Sequence, residues 1–337
     1  MNMLASTLSS RIFRAVATRA LMLTLASALG ASVLAAQPLT YSRGQNVSPA
    51  FEGWEEDATG TRFFVFGYMN RNWEEELDVP VGPDNGFDIG GPDLGQPTHF
   101  LPRRNRFTFR VQVPKGFTDK EELVWTLSTK GKVERAYAST KADYKLDAVA
   151  KMSETGALGG GFSSPEVRAN QPPVLKVEGA NALSVRVGQP LKLSAAVTDD
   201  GVPKPRPPGF GGAAVSTRAQ RDVNPSSEAA ATVRGVNRLT APPIRVTPSK
   251  AVGLHATWFV YRGSGKVAFD PEQVSAWENP RVGANSPWAP VWIAPDLPGG
   301  KSVAQATFSE PGTYVIRVRA DDGGLTADDQ ITVTVTK

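Results

Sequence analysis

Acid–base chemistry in this chain would have to come from carboxylates, because the 337 residues include no cysteine and only two histidines. Eleven carboxylates lie between Glu52 and Asp93, followed closely by a group of arginines. A glycosidase uses two such carboxylates at a set separation. The candidates for that pair are Glu52, Glu55, Glu74 and Glu76. Nothing in their spacing pairs them, and solvated turns offset by the arginines explain the same pattern.

Other catalytic classes find less support. His99 and His255 lie far apart in the sequence, and neither is near a nucleophile-elbow pattern. A Ser-His-Asp triad is therefore not indicated, a three-histidine metal site is impossible, and the lack of cysteine excludes thiolate chemistry. We expect a protein that is not an enzyme, with a glycoside hydrolase using the N-terminal carboxylates as the alternative.

Paired aspartates next to glycines are the candidates for a metal site. Calcium takes six to eight oxygen ligands, and carboxylates at strand ends could supply several of them. The tight spacing of an EF-hand loop is missing, and Asp-Gly pairs also form ordinary turns. No other cofactor is expected. The calcium candidates are Asp199, Asp200, Asp321, Asp322 and Asp328, the last adjoining Asp329.

Three tryptophans are the candidates for ligand binding: Trp277, Trp288 and Trp292, in the Pro/Gly-rich stretch WENPRVGANSPWAPVWIAP. Flat aromatic faces on such a loop could stack on sugar rings or grip a protein partner. Alternatively, the rings close one edge of a β-sandwich, since large aromatics are mostly buried.

The elements that would position these residues are strands. In RFTFRVQV (106–113) all apolar residues share one parity, which is typical of a strand with one wet face. The same alternation recurs around Trp125, Leu193, Ile316 and Val333, with turns between the runs. TRFFVFGY (61–68) is apolar on both faces and predicts a central strand. Many short strands predict an all-β fold of two sandwich domains; a helix over Lys141–Met152 is weakly patterned.

The N-terminus has the features of an export leader. Arginines precede an uncharged Leu/Ala-rich core and a small-residue cleavage site, so we expect a signal peptide over residues 1–36. The core is too short for a membrane anchor, and no integral span is expected after cleavage. Export predicts the periplasm, the cell surface or the extracellular space. The domains predicted are an N-terminal sandwich (37–152), a Gly/Ser/Pro linker (153–173) and a C-terminal sandwich (174–337).

Charge gives no indication of a nucleic-acid partner. The formal net charge of +4 includes three leader arginines, so the mature chain carries 34 basic and 33 acidic residues. A phosphate backbone is recognised by clustered positive charge, which this balance does not supply. Residues 201–253 are rich in Pro, Ala and Gly with eight basic and two acidic residues. We expect this stretch to be a disordered insertion.

The C-terminal part resembles the PKD-like and cadherin-like immunoglobulin-fold repeats of bacterial exported proteins. The residues that carry the resemblance are NQPP (170–173), VGQPL (187–191), TDDG (198–201), ATW (256–258), FSEPGTY (308–314) and ADDG (320–323). The resemblance implies an immunoglobulin-like sandwich, in some relatives with calcium in its loops. Independently, Tyr314 after a turn fits a tyrosine corner, and Trp258 fits a core tryptophan between two sheets.

These observations favour a non-catalytic exported protein that recognises a polysaccharide or another exported protein through loops at the ends of its sandwiches. A ligand-free structural spacer is the further alternative. The N-terminal part is similar only to uncharacterised exported bacterial proteins, which adds no chemistry.

Overall fold

A computed structural model describes residues 42–155, 164–204, 253–277 and 296–337. The described residues from Arg43 onwards belong to one compact unit. Within it, strands dominate and group into two β-sandwiches, as the alternating sequence patterns predict.

The N-terminal sandwich is built from two three-stranded sheets and a short ribbon. Its strands are β1 (Val47–Glu56), β2 (Arg62–Asn70), β3 (Leu77–Asp78), β4 (Asn85–Phe87), β5 (His99–Phe100), β6 (Arg103–Gln112), β7 (Leu123–Thr129) and β8 (Lys132–Ala138). Sheet I has the order β1-β2-β6, sheet II the order β4-β7-β8, and β3 pairs with β5. The doubly apolar segment is the central strand β2, which confirms its prediction.

Aromatic rings fill the space between sheets I and II. Phe66 of β2 meets Trp125 of β7 edge-on, with ring centroids 5.8 Å apart, and Phe109 stacks on Phe66 at 5.4 Å. Leu123, Trp125 and Leu127 are fully buried, as their shared parity predicts. Without cysteine, this core must supply the stability that small exported domains often draw from disulfides.

Buried side-chain amides hold the loops of this sandwich. Asn85 donates to the carbonyls of Val79 and Pro97 and accepts from the Trp125 indole. The same kind of bonding, to neighbouring backbone groups, is made by Asn70, Asn72, Gln96 and Asn105. Buried polar groups are tolerated only when hydrogen-bonded, so these amides fix the loop geometry.

The C-terminal sandwich packs two four-stranded sheets. Its strands are β9 (Val174–Val177), β10 (Ala182–Arg186), β11 (Pro190–Thr198), β12 (His255–Arg262), β13 (Val267–Asp270), β14 (Lys301–Phe308), β15 (Gly312–Asp321) and β16 (Thr326–Thr336). Sheet III has the order β13-β14-β11-β9 and sheet IV the order β10-β16-β15-β12. Strand β10 runs parallel to β16, and the other pairs in the two sheets are antiparallel.

Both aromatic features expected of an immunoglobulin-like sandwich are present. Trp258 of β12 is buried, and its indole N–H donates to Ser302 Oγ on sheet III at 3.0 Å, linking the two sheets. The Tyr314 hydroxyl donates to the Glu310 carbonyl at 2.9 Å, four residues upstream. This is the bond of a tyrosine corner. The all-β, two-sandwich fold with an immunoglobulin-like C-terminal half is thus confirmed.

Helices are few and short. A 3-10 turn covers Ala142–Tyr144, α1 covers Ala148–Thr155, α2 covers Pro165–Arg168, and a 3-10 turn covers Pro298–Gly300. The weakly patterned helix candidate over Lys141–Met152 overlaps α1 only from Ala148 onwards. Among the described residues, no helix is long and apolar enough to cross a membrane. The predicted leader lies outside the described residues, as do the four glycines of the predicted linker and residues 205–252 of the predicted insertion.

Candidate functional site

Part of the outer face of sheet IV, on β12 and β15, is buried against the N-terminal sandwich; we call this contact the seam. Tyr261 of β12 is 3 % exposed and belongs to the N-terminal core, although it comes from the C-terminal sandwich. Phe259 and Val315 pack beside it from the same face. The alternation of β15 predicts a wet outer face, but the N-terminal sandwich excludes water from much of it.

Arg317 is the main polar group of the seam. Its guanidinium lies 3.3 Å from the centroid of the Tyr261 ring and donates to the carbonyl of Thr108 at 2.6 Å. It also donates to the side-chain oxygen of Gln330 at 2.8 Å. Each of its three nitrogens makes a hydrogen bond, and the Tyr261 ring covers one face of the guanidinium, so the charge can be buried in the seam.

A loop of the N-terminal sandwich continues the seam along the edge of β12. The Thr98 N–H donates to the Tyr261 carbonyl, and Arg262 forms a bidentate pair with Asp93 at 2.9 and 2.7 Å. The Tyr261 hydroxyl donates to the Gly95 carbonyl. These contacts cover an edge strand that would otherwise present unpaired backbone groups.

A cleft of about 710 Å³ opens along the seam. It is lined from the N-terminal side by residues such as Glu55, Phe107 and Arg110, and by Lys151 of α1. The C-terminal wall includes Arg317, Asp328 and Gln330, with Pro172 and Pro173 at the entry to the second sandwich. We call this cavity the seam cleft.

Phe107 reaches the seam cleft because its backbone is irregular. It has φ of +50°, which is an outlier for a bulky side chain. Here the β2–β6 register shifts: Phe66 pairs with Phe109, but Tyr68 pairs with Asn105, so β6 bulges. Such strain costs on the order of 1–3 kcal/mol. The parity of residues 106–113 predicts Phe107 in the core with Phe109, and that was wrong.

Two of the four carboxylates proposed for a glycosidase, Glu52 and Glu55, pair with lysine or arginine side chains. Glu55 pairs with Lys151 and with Arg110, whose Nη1 lies 3.1 Å from Glu55 Oε1. Burial alone would raise the pKa of Glu55, but these two cations hold it below its usual value. Glu52 pairs with Arg104 at 2.6 Å, and burial raises its pKa despite that partner.

His99 lies between two carboxylates at the start of β5. Its Nδ1 is 2.7 Å from Asp78 Oδ1 and its Nε2 is 3.1 Å from Glu76 Oε2. Burial would lower the pKa of His99, but the two hydrogen-bonded carboxylates outweigh burial and raise it to about 9. The imidazole is therefore protonated near neutral pH, and it clamps β3 to β5 rather than serving as a base.

This clamp should give the protein a pH-dependent stability. A pKa raised from 6.5 to about 9 stabilises the fold by about 3 kcal/mol below pH 6.5, and the contribution disappears as the pH rises through 9. We expect His99→Gln to be less stable than the wild type at pH 6, with the gap closing by pH 9.5. Urea unfolding of the wild type and of His99→Gln between pH 6 and pH 9.5 measures the two free energies of unfolding. If their difference does not change with pH, the clamp is refuted.

The aspartates proposed as calcium ligands bond to backbone groups and to arginines. Asp322 accepts from the N–H groups of Gly324 and Leu325, and Asp328 forms a bidentate pair with Arg319 at 2.7 Å. Asp199, Asp200 and Asp321 each accept from a backbone N–H two residues ahead, as in Asx turns. No three acidic or histidine side chains among the described residues are placed to hold one metal ion.

The tryptophans proposed for ligand binding are described only in part. Trp277 is half-buried at the end of the segment that follows β13. Trp288 and Trp292 lie outside the described residues. Their role in recognition, like that of calcium, remains a prediction.

The seam and its cleft were not predicted from the sequence. The available signal was β12 itself, HATWFVYR, which carries large apolar side chains on both faces, a pattern typical of a strand buried on both sides. It did not identify what covers the second face.

Comparisons with known proteins extend the picture only slightly. No family model matches the chain, and no curated protein does. Among solved structures, a conjugative transposon lipoprotein from Bacteroides eggerthii aligns at 10 % identity, covering 48 % of this chain and 96 % of its own, with a TM-score of 0.23. Domains 1–6 of the surface layer protein SbsC align at 9 % identity over 87 % of this chain and 28 % of their own (TM-score 0.21).

The fibronectin(III)-like modules of Clostridium thermocellum CbhA align at 8 % identity over 86 % of this chain and 94 % of their own, with a TM-score of 0.20. Scores at this level carry no argument about function. The fold class therefore depends on the sheets, the core and the tyrosine corner described above.

Proposed function

We propose that this chain is a non-catalytic, exported protein that recognises a polysaccharide or another exported protein through loops at the ends of its sandwiches. The observation that supports this best is the seam. Tyr261 and Arg317 tie the two sandwiches together through shared core packing and hydrogen bonds. A scaffold joined in this way can present its loops at set positions, as binding proteins require.

The state of the acid–base groups supports a binding role over catalysis. Glu55 and Glu76, two of the four proposed catalytic carboxylates, are held by Lys151 and by His99 respectively. A general acid needs a carboxyl whose pKa is raised and which can reach the substrate. Glu52 has the raised pKa, but its side chain is only 7 % exposed.

Location and family belong to the same proposal. The leader-like N-terminus supports export to the periplasm, the cell surface or the medium. The tyrosine corner and core tryptophan are compatible with the PKD-like or cadherin-like subclass suggested by the NQPP and ADDG segments. Trp288 and Trp292 are the proposed contacts because their loop is rich in Pro and Gly, and flat rings suit sugars and protein hot spots.

Binding to a glycan array and to immobilised envelope polysaccharides tests the proposal. We expect binding by the wild-type protein and its loss in a Trp288→Ala, Trp292→Ala double variant. Tyr137→Ala serves as a control, since it removes an aromatic side chain that is exposed on the N-terminal sandwich. Binding that survives the double substitution would refute the site assignment.

The hydrolase alternative has its own readout. Turnover of a panel of aryl glycosides, abolished by Glu74→Gln or Glu76→Gln, would replace the binding proposal with a catalytic one. A protein that binds no glycan and no identified exported protein would instead fit a structural spacer.

A further inference from the structure

The seam cleft has the size and location of a small-molecule site. Its volume of about 710 Å³ falls within the roughly 300–1,000 Å³ typical of ligand pockets, which occur preferentially at domain interfaces. Its walls come from several elements: sheet I, α1, the start of the second sandwich and sheet IV. Trp277, the one described residue of the proposed tryptophan site, does not line the cleft.

The charges that line the cleft nearly cancel, so it does not select a strongly charged ligand. The lining contains the cations Arg110, Lys151 and Arg317 and the acids Glu55, Glu56, Asp147 and Asp328. The closest of these groups neutralise one another, as in the Glu55–Lys151 and Glu55–Arg110 pairs. A phosphate or a polycation would have to break such pairs to bind.

The paired groups still offer hydrogen bonds. Lys151 carries three N–H donors and Arg110 carries five, more than their bonds to Glu55 require. Gln330 accepts from Arg317 through its Oε1, and among the described residues no bond uses its Nε2 donors. Charge-paired cations with spare N–H donors, together with a neutral side-chain amide, suit ligands rich in hydroxyls.

The cleft lining also includes apolar side chains. Phe107, held by its positive φ, lines the cleft together with Leu325, Pro172 and Pro173, and Lys151 Nζ lies over the Phe107 ring, 5.9 Å from its centroid. A pyranose ring has hydroxyls around its edge and C–H groups on its faces, so it matches a cleft in which N–H donors lie close to an aromatic ring. The backbone strain that places Phe107 here is of the type found at binding sites.

We propose that the seam cleft binds a short neutral oligosaccharide, with the ring of Phe107 against a sugar face and Lys151 and Gln330 donating to hydroxyls. The proposal invokes neither Trp288 nor Trp292, so its test and that of the proposed function are separate.

The proposal can be tested by titrating the full chain with cellotriose, maltotriose and chitotriose. Binding is measured by calorimetry and by backbone amide NMR. We expect at least one trisaccharide to bind, with amide shifts at Phe107, Lys151 and Gln330. Phe107→Asn removes the ring while keeping a residue that tolerates positive φ, and should weaken binding about tenfold or more. Lys151→Met keeps the aliphatic stem but loses the donors, and should also weaken binding.

Arg103→Asn is the matched control, because Arg103 also has positive φ (60°) on β6 but does not line the cleft; its binding should equal that of the wild type. The Trp288→Ala, Trp292→Ala variant should keep the cleft's affinity. If Phe107→Asn does not fold, Lys151→Met and the NMR map of the wild type decide. Absence of binding by all three sugars, tighter binding of trigalacturonate or trilysine, or unchanged affinity in both cleft variants would overturn the proposal.

Discussion

Replacing Asn85 with alanine should lower the free energy of unfolding by about 4 kcal/mol or more, because three buried groups lose their partners at once and each costs about 1–3 kcal/mol. These are the carbonyls of Val79 and Pro97, 2.9 and 2.8 Å from Asn85 Nδ2, and the Trp125 indole, 3.0 Å from Asn85 Oδ1. Asn85 is completely buried, so water cannot replace these bonds.

Urea unfolding followed by tryptophan fluorescence measures the effect. Asn181→Ala is the matched control, since Asn181 is exposed in a turn and its side chain should contribute within about 0.5 kcal/mol. A loss below about 1 kcal/mol for Asn85→Ala would show that the amide network does not hold the loops.

Removing the ring of Tyr261 should be the second large perturbation. Tyr261→Ala should cost about 3–5 kcal/mol, as truncation of a buried aromatic does, and the cost should fall mostly on the N-terminal sandwich, whose core the ring enters. The Arg317 guanidinium would lose the surface on which it is stacked. We therefore expect one unfolding transition in the wild type and two in Tyr261→Ala.

Calorimetry resolves the two unfolding transitions, and two further variants serve as controls for the splitting. Tyr261→Phe keeps the ring but loses the bond to Gly95, and should cost about 1 kcal/mol without splitting the transition. Tyr137→Ala removes a tyrosine that is 52 % exposed and should leave the thermogram unchanged. A single transition in Tyr261→Ala would mean that the Tyr261 ring is not what couples the two sandwiches.

The seam also explains why two sandwiches can be stable without disulfides. Each sandwich buries its inner faces, and sheet IV buries part of its outer face as well, through Phe259, Tyr261 and Val315. Apolar burial is the dominant stabilising term in folding, and a second buried face adds to it.

Local patterns by themselves determined the strands and the C-terminal core. Alternation identified the inward residues of β7, β11, β15 and β16, because a sheet with one buried face requires a period of two. The tyrosine corner was predictable as well, since the bond of Tyr314 spans only four residues. Contacts that depend on strand periodicity or on residues close together in the chain could therefore be predicted from the sequence.

Only the tertiary structure decided the roles of the polar and seam residues. Arg317 bonds to Thr108 across 209 positions, and Tyr261 bonds to Gly95 across 166, so no local pattern relates them. Alternation assigned Arg317 to solvent and Phe107 to the core. Packing against the N-terminal sandwich buries Arg317 instead, and the bulge in β6 places Phe107 at the seam cleft. Periodicity assigns a residue to a face of its strand, but burial of that face depends on which distant surface packs against it.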